Sequence, residues 1–207
     1  GLVVSIPDAS ILGGPISAAA AAGIPVISIN SGSDVSASLG AIMHVGQPEY
    51  DAGLGGGQKS AGMGASGGVC FNHEPFNTAL LDRCQGFADG LGEDLNMVEV
   101  SKDYNDIKNT VLAYMTSNPG TGAVMSVGPT GCDPTIEAIE ELGLAGEVVV
   151  GCFDLSPMLL TRSEQTAQSR QQDPTSNIHA TIKKRQISAM QHHQDEHCCP
   201  PGTVKQS

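Results

Sequence analysis

The chain has 207 residues, 40% of them hydrophobic, and a formal net charge of −12, which suits one ordinary domain or two small ones around a buried core. Such acidity excludes binding to a phosphate backbone, which requires a basic surface. Aromatic residues make up 3% and Trp is absent, so aromatic platforms for nucleic-acid bases are excluded as well.

From Gly1 to Asp154 short apolar runs alternate with helical stretches, the form a βα repeat takes in sequence. Leu2 to Ile6 reads as the first strand, with Pro7-Asp8 at its tip. Ser10 to Leu12 and the alanine-rich Ile16 to Ala22 read as a helix closed by Gly23. Ile24 to Ile29 forms the second strand, Asn30-Ser31-Gly32-Ser33-Asp34 a loop of turn formers, and Ala41 to Val45 a short third strand. Pro48 to Ala61 reads as the next helix, with Pro in its first turn. The run Gly53-Leu54-Gly55-Gly56-Gly57 lies inside that helix, not at a strand-to-helix turn, so it reads as a surface for close packing and not as a phosphate cradle.

A second series follows Gly62 to Gly68. The strand Val69 to Phe71 leads through Asn72-His73-Glu74-Pro75 into a helix from Phe76 to Leu91. Met97 to Val100 is a strand, Asp103 to Ser117 a helix, Ala123 to Val127 a strand, and Asp133 to Leu142 a helix with Pro134 in its first turn. Val148 to Phe153 closes the series. The pattern predicts an α/β protein: a partial first lobe over 1–64 and a second lobe over 65–157. Near-continuous Val/Ile runs suit parallel strands buried on both faces. In such sheets ligands bind beyond the carboxyl ends of the strands, which points to Pro7-Asp8, Asn30-Ser31, Asn72-His73-Glu74 and Asp154.

Beyond Pro157 the pattern stops. Residues 1–155 hold 4 Lys/Arg against 18 Asp/Glu, whereas residues 156–207 hold 6 against 4. Residues 158–207 therefore read as an unrelated tail, disordered or weakly helical. Its His192, His193, His197, Cys198 and Cys199 read as an adventitious cluster and not as a zinc site. The six cysteines lack a disulfide-framework spacing, and Cys70 and Cys152, placed in strands, read as buried inert thiols. No secretory signal precedes Gly1, and no apolar run approaches the roughly 20 residues of a membrane helix.

Several ordered runs carry a resemblance: Gly1 to Asp8, Ala22 to Asp34, His44 to Gly53, Asn72 to Pro75, Arg83 to Phe87 and Gly151 to Pro157. Together they resemble type I periplasmic sugar-binding proteins of ABC transporters, the ribose-binding-like class, over about residues 1 to 157. The resemblance implies two Rossmann-like lobes with parallel sheets, joined by a hinge and closing on a small sugar or polyol. It further implies a fragment, without the family's first strands before Gly1 and without its C-terminal part. Asn30 and Ser31 follow the strand whose end reaches the ligand in that family. Arg83, shortly before Gly86-Phe87, and Asp154, ending Gly151-Cys152-Phe153-Asp154, match further ligand contacts. Asn72 and Glu74 match the cleft edge of the second lobe, while Gly128-Pro129 stands where the family carries a polar cleft residue.

The expected function is capture of a small sugar or polyol in an interlobe cleft for ABC-type import. ABC transporter membrane subunits are the implied partners, the location periplasmic or extracytoplasmic, and no cofactor, nucleic acid or membrane insertion is called for. The alternative is the effector-sensing domain of a sugar-responsive transcription regulator, which shares the fold. Catalysis is not expected: Ser5, Asp8 and His73 lack the strand-to-helix elbow of a hydrolase nucleophile.

Overall fold

The computed structural model describes residues 1–154 together with Ser156, Met158 and Leu159. Nearly all of the expected tail, with its His and Cys cluster, lies outside the described residues. The elements run β1 (Leu2–Val4), α1 (Ala9–Ala21), β2 (Val26–Ile29), α2 (Ser33–Ser36), β3 (Met43–Val45), α3 (Glu49–Gly62), β4 (Gly68–Asn72), α4 (Thr78–Leu91), β5 (Met97–Glu99), α5 (Tyr104–Ser117), β6 (Ala123–Ser126), α6 (Pro129–Glu141) and β7 (Val149–Cys152).

The strands form two parallel sheets, ordered β1-β2-β3 and β5-β4-β6-β7. Side-chain alternation along each strand decides what covers which face. In the second sheet, Val69, Phe71 and Val124 point to one face and meet Ile107, Val111 and Met115 of α5 and Ala138 and Ile139 of α6. Cys70, Ala123 and Met125 point to the other and meet Leu80, Cys84 and Phe87 of α4. Phe71 is wholly buried, which by itself contributes about 1.5 to 3 kcal/mol.

Among the described residues the first sheet is covered on one face. Ile6, Val26 and Ile16 form its core with Leu2, Val4, Leu12, Val35 and Leu39 around them. On the opposite face Val3 pairs with Ile27 and Ile27 with Met43, a row that ends in Val3 at 62% and Met43 at 52% exposure. Helix α3 does not return to cover that face but packs along α4. By packing, residues 49–62 go with the second sheet, although the sequence reading puts them in the first lobe.

Caps fix the helix starts. Asp8, Asn77 and Asp103 each accept a backbone N–H of the first turn of α1, α4 and α5, worth about 1 kcal/mol apiece. Two expectations need correcting. Helix α6 begins at Pro129, behind Gly128, so Pro134 falls in its second turn. The strand cysteines are not free thiols: Cys70 pairs with Cys84 and Cys132 with Cys152 in disulfides. Each bond ties a strand to the helix packed on it, β4 to α4 and β7 to α6.

The glycine-rich run reads out as close packing. A Cβ on Gly53 would sit 2.2 Å from the Arg83 carbonyl oxygen, and one on Gly57 2.1 Å from that of Phe87. From the facing helix, Gly86 and Gly90 approach Tyr50 and Leu54 in the same way. Two glycines four residues apart on each helix thus bring the backbones of α3 and α4 together.

Candidate functional site

The carboxyl ends of the two sheets are joined by hydrogen bonds. After β2, Ser31, buried, donates through Oγ to Oδ1 of Asn77 at 3.2 Å. The backbone N–H of Thr78 donates to the carbonyl of Pro7, beyond β1, at 3.1 Å. Asn77 is therefore at once the cap of α4 and the bridge to the first sheet. Its Nδ2 donates to Glu74 Oε2 at 2.8 Å.

Glu74 and Asn72 extend this network along the tip of β4. The Glu74 carboxylate accepts from Lys102 Nζ at 2.6 Å, and that hydrogen bond first, then the one from Asn77, holds its carboxyl below the usual value. Asn72 is wholly buried and its Oδ1 accepts the Glu74 backbone N–H at 2.8 Å. Its side chain thus shapes the loop from within.

Arg83 sits in a second network. Its Nε and Nη2 donate to the two carboxylate oxygens of Glu49 at 2.6 and 3.1 Å, and its Nη1 donates to the Val127 carbonyl at 2.6 Å. The guanidinium carbon lies 4.2 Å from the centroid of the Phe153 ring, a favourable cation–π placement. Arg83 thereby fastens the start of α3, the end of β6 and the end of β7 beneath the carboxyl edge of the second sheet. The sequence offered Asp82 and Asp89 as its ion-pair partners; the structure gives Glu49 instead. Asp89 accepts from Tyr50 and Gln85.

Asn30 and Asp154 lie on the solvent side of these networks. Each is exposed at its strand's carboxyl end, Asn30 after β2 and Asp154 after β7. They are the two non-glycine residues with positive φ among the described residues, at 62° and 63°. Asn30 makes one long side-chain contact, its Nδ2 to Ser31 Oγ at 3.5 Å.

His73 lies between the two networks. A Cβ on Gly128 would come within 3.2 Å of its Cε1, and its Nδ1 is buried with no hydrogen-bond partner among the described residues. Burial pushes the imidazole below its ordinary value; Glu74 opposes that shift, while Lys102 and Arg83 add to it.

Glu49 and Asn77 are the contributors that sequence reasoning missed. Asn77 stands just before a helical run, which is a legible capping signal. Glu49 in a first helical turn reads only as a favourable charge at a helix start. Among the described residues no group of His, Cys, Asp and Glu could hold a metal ion, and no helix is long and apolar enough to cross a membrane.

Two parallel α/β sheets with their carboxyl edges turned to one another define the class: a two-lobed binding fold of the type I periplasmic kind. The periplasmic binding protein domain model matches residues 1–175, and the chain belongs to that family. The match runs past residue 157, where the sequence reading begins an unrelated tail. Among solved structures, a carbohydrate transporter from Acidothermus cellulolyticus 11B in complex with myo-inositol superposes with a TM-score of 0.71 at 22% identity, covering 98% of this chain and 69% of that one. A periplasmic sugar-binding protein from Legionella pneumophila gives 0.71 at 16%, covering 97% and 75%. An ABC transporter solute-binding protein from Burkholderia graminis C4D1M in complex with D-arabinose gives 0.69 at 16%, covering 96% and 70%. At these identities the likeness speaks for the fold. No curated protein matches the chain.

Proposed function

We propose that this chain captures a small sugar or polyol between its two sheets, by closure of two lobes and without covalent chemistry. One observation carries the reading: Asn30 and Asp154, one beyond a strand of each sheet, both hold a left-handed backbone. Asn and Asp enter that conformation more readily than other non-glycine residues, and residues held there cluster at functional sites. A polyol hydroxyl both donates and accepts, so an amide from one lobe and a carboxylate from the other form a suitable pair. Arg83 contributes N–H donors from the floor, while Ser31, Asn72 and Glu74 shape the rim. The myo-inositol and D-arabinose held by solved structures of this fold support the ligand class.

In this reading the first lobe ends near Val45 and α3 begins the second. The natural partners are ABC transporter membrane subunits, and the place of action is outside the cytoplasm. Two disulfides support that location, because such bonds persist in oxidising compartments.

Isothermal titration with myo-inositol, D-arabinose, D-allose and D-galactose tests the proposal. At least one should bind, and Asp154→Asn, which tolerates the same backbone, should weaken it by about 1.5 to 3 kcal/mol, the worth of a hydrogen bond to a charged group. Absence of binding across the panel sinks the ligand class, and an unchanged affinity removes Asp154 from the site.

A further inference from the structure

We propose that Glu49 makes the cleft selective for uncharged ligands, by neutralising a guanidinium that would otherwise draw sugar acids and sugar phosphates. This rests on the sugar or polyol reading above. A buried arginine at the floor of a binding cleft is by default an anion receptor, since its planar fork matches a carboxylate or phosphate. Here that fork is occupied. Glu49 takes Nε and Nη2 with both of its oxygens, and Gln47 Nε2 donates to the same carboxylate at 2.8 Å. Arg83 and Glu49 are 6% and 7% exposed, so their charges cancel close together and largely out of water.

Of the five guanidinium N–H groups, the Val127 carbonyl takes a third, which leaves two. Those two can donate to hydroxyl oxygens with no charge to balance. An anionic ligand meets a different site. It would have to displace Glu49, stranding a buried carboxylate, or lie beside it, and a buried charge without its partner is strongly unfavourable. The surroundings oppose it too. Asp154 is exposed beyond β7. Burial chiefly, and to a lesser extent the nearby Asp34 and Glu49 carboxylates, raise the Asp82 carboxyl above its ordinary value. On the rim, Lys102 is held by Glu74.

The test is titration of the full chain with matched pairs: D-galactose against D-galacturonate, D-glucose against D-glucuronate, and myo-inositol against myo-inositol 1-phosphate. For whichever neutral member binds, its acidic partner should bind the wild type at least about tenfold more weakly. Glu49→Gln, which keeps size and an acceptor oxygen, should narrow that ratio at least about tenfold. An acid that binds the wild type as tightly as its neutral partner overturns the proposal without any variant. An unchanged ratio in folded Glu49→Gln overturns it as well, and Glu49→Asn takes its place if circular dichroism shows the first variant unfolded. Absence of heat with every compound, neutral and acidic, and with D-arabinose and D-allose as well, overturns the sugar or polyol reading itself and this inference with it; if D-arabinose or D-allose alone binds, that sugar and its own aldonic acid form the pair on which the same ratio is read.

Discussion

Alanine at Gly57 and at Gly55, two residues apart on α3, should change stability in opposite directions. At Gly57 the new Cβ would lie 2.1 Å from the Phe87 carbonyl oxygen, 2.8 Å from Gly90 Cα and 2.8 Å from Leu91 N. All three atoms are backbone of α4, so no side chain can swing aside and the two helices must separate by about 1 Å to restore a normal contact near 3.2 Å. Overpacking of this kind costs about 1 to 3 kcal/mol, and backbone against backbone belongs at the upper end. The gain in helix propensity from Gly to Ala returns about 1 kcal/mol, leaving a net loss near 2 kcal/mol. At Gly55 nothing lies within 4 Å, so only the gain of about 1 kcal/mol remains. Thermal melts followed by circular dichroism should show Gly57→Ala lower by about 4 to 8 °C and Gly55→Ala higher by about 2 to 4 °C, at the usual conversion for this size. If Gly57→Ala melts with or above Gly55→Ala, the helices do not meet at the glycine face and the placement of α3 on the second lobe is wrong.

Reduction should destabilise the second lobe. Cystines joining residues 14 and 20 apart are worth about 3 kcal/mol each in the chain-entropy account. Dithiothreitol should therefore lower the melting temperature, and non-reducing peptide mapping should recover the Cys70–Cys84 and Cys132–Cys152 pairs; free thiols at those positions would remove them. Acidification should destabilise through His73. Its folded value lies below the ordinary 6.5, chiefly by burial, so the stability held by the neutral ring is present above that pH and is lost as pH falls through the folded value. Wild-type melts should decline between pH 7.5 and 5.5 more steeply than those of His73→Gln, and parallel slopes would take His73 out of the account.

The strand pattern was legible because it depends on neighbours in sequence. Val69, Phe71 and Val124 face α5 and α6, whereas Cys70, Ala123 and Met125 face α4; the short apolar runs announce such two-sided burial. What joins distant residues was not legible. The glycine run shows that α3 meets something closely, yet its periodicity cannot say that the partner is α4 and not a helix of the first lobe. The cysteines carry no pairing signal, since six of them allow 15 connectivities. Glu49 and Arg83 stand 34 residues apart, and local spacing gave Arg83 nearer acidic candidates. Asn30 and Asp154 were found as polar residues at strand ends, but their left-handed backbone, the feature that sets them apart, is a property of the fold.

The glycine face and the buried Glu49–Arg83 pair are one device. Gly53 packs against the carbonyl of Arg83 itself, and Gly86 against that of Tyr50, the residue after Glu49. The contact that lets the helices touch therefore also sets the register at which Glu49 meets Arg83. A helix pair held apart by ordinary side chains would leave that carboxylate short of the guanidinium, because Glu and Arg reach each other here at 2.6 Å while both remain buried. The run that the sequence reads as a surface for close packing thus helps to set the Glu49–Arg83 pairing, through backbone proximity and not through any side chain of its own.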